Sequence, residues 1–396
     1  MAPLTGTMHT GSVAQSQLAI DLHKQILLNE PDKVPFTVFS RFTKNGQFRE
    51  RAIREEFYWH NDQLWNRWSA IDNPGGYAAG ATTLRVQDAS RFTKSDVVKV
   101  PRTGEIIRVT ETDELNNEID VVRGIGSTAA AALLDEDELL IYSTAFEEGT
   151  LPRVSRSENP EKVTNYTQIF RRTLESTGTE RSISNLSTPH NWDHQWRKVY
   201  LEHHKDIELA GLFGEPGVKT GPEGKAVRTT GGLLHYMTQN NLDAGGAWTL
   251  PEIGAWIEQI TRYGSNKKVL FCGRRVASVL SAHSLNRLQT SVGDETFGVR
   301  IKHWLDANGE LQIVSHPLLE GDVYGGVAIA VDFKAQAIRY KYLAGDGPGG
   351  SRDTHVRANV QEPGRDGRAD EILAECGFQI GLPETGGVVT GVTSAA

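Results

Sequence analysis

The spacing of apolar residues changes several times along this chain. Residues 1 to about 35 are small and polar and read as a flexible arm. Apolar residues begin around Pro35-Phe36, and Phe57 to Trp68 is aromatic-rich, with Phe57, Tyr58, Trp59, Trp65 and Trp68. At helical spacing these rings would either anchor the arm on a neighbouring surface or plug the chain's own core. After the breakers Asn73-Pro74-Gly75-Gly76 the period falls to two. Leu84–Val86, Val97–Val100, Ile106–Thr110, Ile119–Val122 and Leu139–Tyr142 are short apolar or alternating runs separated by turn residues such as Arg102-Thr103-Gly104 and Asn116-Asn117. Five strands at this spacing predict a small antiparallel barrel or sandwich over about 78–146.

Val163–Ile183 mixes charges with β-branched residues and has no continuous apolar face. A hairpin projecting from the body is expected there, with no core of its own. The period then becomes helical. Thr188 suits a cap and Pro189 a first turn, and Trp192, Trp196, Val199, His203, Ile207 and Ala210 recur at steps of three or four. Gly214 ends a helix that would be roughly 35 Å long at about 1.5 Å per residue. Glu215–Arg228 reads as a Gly/Pro/Lys loop. Beyond it the pattern is α/β. Thr249 and Glu252 form a capping box around Pro251, and Ile253, Trp256, Ile257 and Ile260 give the buried stripe of that helix. Val269–Cys272 reads as a buried strand, Arg274–Leu288 as a second helix, and Leu311–Val314, Val327–Val331 and Ala337–Leu343 as strands. Val356–Gly381 mixes short strands, and the small residues after it are expected to fray.

A length of 396 residues allows two or three packed units. The net charge of -8 disfavours sequence-reading DNA binding, because phosphates repel an acidic chain. Mean hydropathy is -0.40, and no apolar run is long enough to span a bilayer. The start of the chain lacks the basic and apolar stretches of a secretory signal. Cys272 and Cys376 sit in apolar contexts without finger spacing, which predicts buried reduced thiols.

No motif carries convincing chemistry. Gly224-Lys225-Ala226 partly matches a phosphate loop, but Lys219 stands where the first glycine should be and Ala226 replaces the hydroxyl residue. Gly124-Ile125-Gly126 lacks the third glycine of a dinucleotide fingerprint, with Ala129 in its place. His190 and His194 are four apart and could chelate a metal, with His203 and His204 further on, but their Trp neighbours favour packing. Leu382-Pro383-Glu384-Thr385-Gly386 matches a sortase signal without the apolar span and basic tail that must follow it. The expectation is no catalytic residue, no cofactor and no metal.

One combination goes further. Asn165-Tyr166-Thr167-Gln168-Ile169-Phe170, Ser176-Thr177-Gly178-Thr179, Asp206-Ile207-Glu208 and Gly214 occur in an order that resembles the major capsid proteins of tailed bacteriophages. Thr103-Gly104-Glu105, Val121-Val122-Arg123-Gly124 and Glu147-Glu148-Gly149 resemble that family's inserted β unit. The likeness runs from about 35 to 385. It implies an α+β chain with the Hong Kong 97-like capsid fold and an inserted antiparallel β-barrel or sandwich.

Its parts would be an N-terminal arm (1–77) anchored by Phe57, Trp59, Trp65 and Trp68, the inserted β domain (78–146), and an extended E-loop (147–187) carrying Asn165, Thr167, Gln168, Phe170 and Thr179. A spine helix of the peripheral domain (188–224) would follow, with Trp192, Trp196, Val199 and Ile207 on its sheet-facing side. An axial domain (225–345) and a return to the peripheral domain with a C-terminal tail (346–396) would complete it. The implied protein is a non-enzymatic shell subunit of the virion, assembled in the bacterial host cytoplasm into hexameric and pentameric capsomers. It would meet a portal and separate scaffolding or decoration proteins, hold double-stranded DNA without reading it, and touch no membrane. About 35 residues before the first apolar cluster are too few for a removable scaffold domain, so a separate scaffolding protein, or assembly without one, is expected, with little or no N-terminal trimming. The competing readings are a phage tail or surface adhesion protein using the β unit to bind, and a hydrolase with a β insertion.

Overall fold

The computed structural model describes residues 34–41, 48–149, 159–182, 192–283, 288–289, 295–296, 299–300, 302–334, 337–345 and 350–395. The chain divides into a body, residues 34–61 and 162–395, and an inserted unit, 62–161. Helices and strands are mixed, as in an α+β protein. Four helices matter below: α1 (Pro35–Arg41), α2 (Trp192–Phe213), α3 (Leu250–Thr261) and α4 (Arg274–His283).

Among the described residues the body contains two large sheets, beside small two-stranded ones. In the first, Arg49–Ala52 runs parallel to Ile338–Leu343, which pairs antiparallel with Gly367–Ile380, and Gln168–Thr177 closes the far edge. His355–Arg357 also pairs with the 367–380 strand. Helix α2 packs on this sheet with Trp196, Tyr200 and Ile372 in one apolar cluster. The second sheet has seven strands in the order Leu242–Trp248, Gly387–Ala395, Ala328–Val331, Lys267–Cys272, Glu310–Ser315, Lys302–Leu305 and Leu288–Gln289. Helices α3 and α4 cover it, burying Trp256, Ile257, Ile260, Val276 and Leu280 against Leu270, Ile313 and Val389. The capping box of α3 forms as the sequence predicts, with Thr249 accepting from the Glu252 N–H and Glu252 accepting from the Thr249 N–H. The largest core spans both sheets, with Phe36 5.2 Å from Phe378 and 5.9 Å from Phe271. Gly211 of α2 permits this, because a Cβ there would lie 2.7 Å from the Phe36 ring.

Among its described residues the inserted unit is built of strands, apart from one 3-10 turn at Ala89–Arg91. Its strands Trp68–Ala70, Thr83–Arg85, Asp96–Lys99, Ile106–Asp113, Glu118–Val122 and Glu138–Thr144 form one antiparallel sheet. An Ile71–Val86 bridge joins the two end strands, with the Asp72 N–H donating to Arg85 and the Gln87 N–H to Ala70. The ring is therefore closed, and Ile71, Leu84, Val98, Ile107, Ile119 and Leu139 fill it. The Glu105 carboxylate, fully buried, receives Arg123 at 2.6 and 2.7 Å and the Gly124 and Ala131 N–H groups. This clamp fastens the long connection after Val122 to the barrel wall.

Several expectations need correction. Val163–Ile183 is not a coreless hairpin. Residues 168–177 pair along their whole length with 367–376, and the exposed Arg and Glu residues mark only the strand's wet face. The β unit begins earlier than 78, because strand 68–70 belongs to it. Trp65 and Trp68 therefore lie in the inserted unit and not in an arm. The segment after Glu215 is a two-stranded ladder, Gly217–Thr220 with Ala226–Thr229. The 356–381 region holds one fourteen-residue strand, Gly367–Ile380, hidden from pattern reading by Asp370, Glu371 and Glu375. Those acids are buried but paired with Arg368, Arg171 and Arg352. The small residues 387–395 do not fray: they form an interior strand of the second sheet. Helix α4 ends at His283, short of Leu288.

Candidate functional site

Helix α1 meets the rest of the body at two buried polar joints. In the first, Glu208 is fully buried and its two oxygens accept from the Phe36 N–H and the Thr37 N–H, each at 2.7 Å, and from the Thr37 hydroxyl. His316 Nε2 lies 2.7 Å from the same carboxylate. His316 Nδ1 accepts the Leu318 N–H, so Nε2 carries the proton and donates to Glu208. One side chain thus ties the first turn of α1, the C-terminal part of α2 and the connection after strand 310–315 together.

In the second joint, Asp353 accepts from Arg41 at 2.8 Å, from the Tyr340 hydroxyl at 2.7 Å, from the Thr354 N–H and from Arg49. Burial alone would raise the Asp353 carboxyl, but the Arg41 and Arg49 cations outweigh it and hold it well below the usual carboxylate range. The Arg41 guanidinium also lies 4.7 Å from the centre of the Tyr340 ring. Burial pushes the Cys376 thiol up to about 12, so it stays protonated, and Cys272 is likewise a buried free thiol. Burial, reinforced by Arg41, pulls His203 down to about 4. Its ring nitrogens have no hydrogen-bond partner among the described residues. These groups are enclosed and are paired or neutral, and they fix the geometry of the body.

The structure sorts the sequence-predicted residues as follows. On α2, Trp196 and Ile207 are buried and Val199 is half-buried. Trp192 stacks on Trp196 at 6.4 Å and carries the Arg368 guanidinium on its ring. Asn165 is fully buried and bonds Gly231 and Phe378 backbone atoms, while the Gln168 side chain accepts the Thr230 N–H. Thr167 and Phe170 are buried in the body, and Thr179 is exposed in a short helix, Gly178–Ser182. Phe57 and Trp59 are buried on strand Glu56–Asn61, which pairs with Glu161–Tyr166.

Thr188, Pro189 and His190 lie outside the described residues. His194 is exposed, whereas His203 and His204 are buried, so the helix does not gather them. Among the described residues no group of three or more His, Cys, Asp or Glu could hold a metal. Gly224-Lys225-Ala226 lies in the exposed 217–229 ladder, and Leu382–Gly386 is a folded turn with Thr385 buried. Sequence reading missed both joints. Its one usable signal was Asp206-Ile207-Glu208, an acid on the apolar side of a helix.

Known proteins match over most of this length. The sequence pattern of the SU10 major capsid protein family covers residues 5–393. A major capsid protein of Pseudomonas phage PaMx41 is 26% identical over 341 residues, 80% of either chain. Among solved structures, the SrpI encapsulin complex of Synechococcus elongatus PCC 7942 matches at 10% identity and TM-score 0.41, covering 60% of this chain and 77% of its own. A structure from Mycobacterium phage Patience matches at 9% identity and TM-score 0.40, covering 64% and 79%. Both likenesses are loose; the sequence match is not, and by it the chain belongs to the SU10 major capsid protein family.

Proposed function

We propose that copies of this chain, as the major capsid protein of a phage head, take the Hong Kong 97-type fold and close as hexameric and pentameric capsomers around double-stranded DNA. The family match over 5–393 carries the reading, and that family is structural and not an enzyme class. The buried joints support it, because a shell subunit needs a body that keeps its shape while neighbours pull on it. The strand pair 56–61 and 161–166 is the better candidate for the extended loop of that fold, since the 62–161 barrel departs from its two ends. The first sheet with α2 would then be the peripheral part, and the second sheet with α3 and α4 the axial part.

DNA would be held by confinement, in keeping with the net charge of -8. A portal, and separate scaffolding or decoration proteins, would complete a head assembled in the bacterial cytoplasm. Repeated heterologous contacts that close on themselves give rings and then a shell. Negative-stain microscopy of the purified protein tests the reading. Rings or shells are expected; fibres would favour a tail or adhesion protein and overturn it.

A further inference from the structure

The ladder 217–229 has no core. Not one of its thirteen residues is buried. Val218 pairs with Arg228 and Lys219 with Val227, so each face of the ladder shows one valine, 48% and 53% exposed. A two-stranded hairpin alone in water is marginal at best. Among the described residues this one is tied near its base, by the Thr229 hydroxyl donating to Glu215 and by Arg228 at 3.3 Å from Glu55. Its charge is also set apart from the rest of the acidic chain: Lys219, Lys225 and Arg228 stand against the single acid Glu223.

The barrel carries a surface of opposite character. A cleft of about 470 Å³ is lined by Glu111, Asp113, Glu114, Glu118 and Asp120 with Leu115. No base lines it, and none of the five carboxylates forms an ion pair among the described residues. Leu115 is 96% exposed. Basic residues beside valines on the ladder therefore match carboxylates beside a leucine in the cleft.

We propose that the 217–229 ladder of one subunit docks on a second copy of this chain, against the acidic 111–120 cleft of that copy's barrel. The proposal rests on the capsid reading above and adds the surfaces through which two subunits meet. Lys219 and Lys225 would each face a carboxylate, with Val227, on the same face as Lys219, covering Leu115. Opposite charge aligns the partners and excludes wrong ones more than it adds bulk affinity.

The test uses shells built from a mixture of nitrogen-15-labelled and unlabelled subunits, treated with a carbodiimide that joins lysine directly to carboxylate. Cross-linked peptides joining Lys219 or Lys225 to the 111–120 segment are expected, with the two halves carrying different labels. Same-label cross-links only, or none from these lysines, would overturn the proposal. The double variant Lys219→Glu with Lys225→Glu should melt as the unmodified subunit does, yet need roughly tenfold more protein to form shells. Adding Glu111→Lys and Glu114→Lys should restore assembly. Shells that form equally well with the reversed lysines would also sink the idea. If the unmodified chain forms no shells at all, the capsid reading itself fails, and this interface with it.

Discussion

Replacing Glu208 with Gln tests whether one buried carboxylate holds the body together. The substitution keeps the shape but turns one acceptor oxygen into a donor NH2. One orientation loses least. The remaining oxygen keeps the Phe36 N–H and His316, and the NH2 faces Thr37. The Thr37 hydroxyl can rotate and accept, but the Thr37 N–H cannot, so one buried donor is left facing another. An unsatisfied buried donor costs about 1–3 kcal/mol, and loss of charge from the two surviving bonds adds about 1 kcal/mol. The expected loss is about 2–4 kcal/mol, or about 5–12 °C in melting temperature for a unit this large. Calorimetry on unassembled subunits measures it. Glu202→Gln on the same helix is the control, since its ion pairs with Lys205 and Arg172 are half-exposed and should contribute about 0.5 kcal/mol. If Glu208→Gln melts with the unmodified subunit while Glu202→Gln does not, the joint is not what holds α1 to α2.

Three further predictions concern other elements. Trp196→Ala removes a buried ring stacked on Trp192 and should cost about 3–5 kcal/mol in subunit unfolding, against about 0.5 kcal/mol for the exposed Lys198→Ala; a Trp196→Ala subunit that melts normally but forms no shells would make that face an interface instead. His203 is held neutral by burial, with Arg41 and Arg172 opposing its charge and Asp206 and Asp353 favouring it. Its pKa is depressed on folding, so the unfolded chain binds the proton first and stability falls as pH drops from about 6.5 towards 4, by roughly 3 kcal/mol. Urea unfolding of His203→Phe should show a shallower loss over that window, and an unchanged slope would refute the assignment. Residues 62–161 expressed alone should fold cooperatively, because the barrel closes on its own core; a non-cooperative melt of that fragment counts against its independence.

Legibility in the sequence followed distance along the chain. The capping box of α3, the barrel strands after Gly80 and the Trp196–Ile207 face depend on neighbours within a few residues, and their periods are plain. The joints depend on partners 108 residues apart for Glu208 and His316, and 312 apart for Arg41 and Asp353, and no local pattern announces them. The 367–380 strand failed for a different reason. Its buried acids break the apolar run, and arginine partners, Arg171 and Arg352 from other parts of the chain and Arg368 from the strand itself, make burial tolerable. The 387–395 strand is rich in Gly, Thr and Ser, which a sheet interior accepts when flanking strands supply the bulk. The 168–177 strand was misread because alternation with charges on one face fits an edge strand as well as a free hairpin.

The place of strand 387–395 also bears on synthesis. It separates 242–248 from 328–331, so the second sheet stays split until the chain has been made that far. At ribosomal speeds of about 5–20 residues per second, the gap between Val331 and Ala395 lasts roughly 3–13 s, whereas the barrel can close long before. A translation product that stops within that gap carries two bare strand edges and an α3–α4 layer that lacks its contacts with Val389 and Val392. Such a fragment exposes unpaired backbone to proteolysis and to edge-to-edge association until the last strand fills the gap.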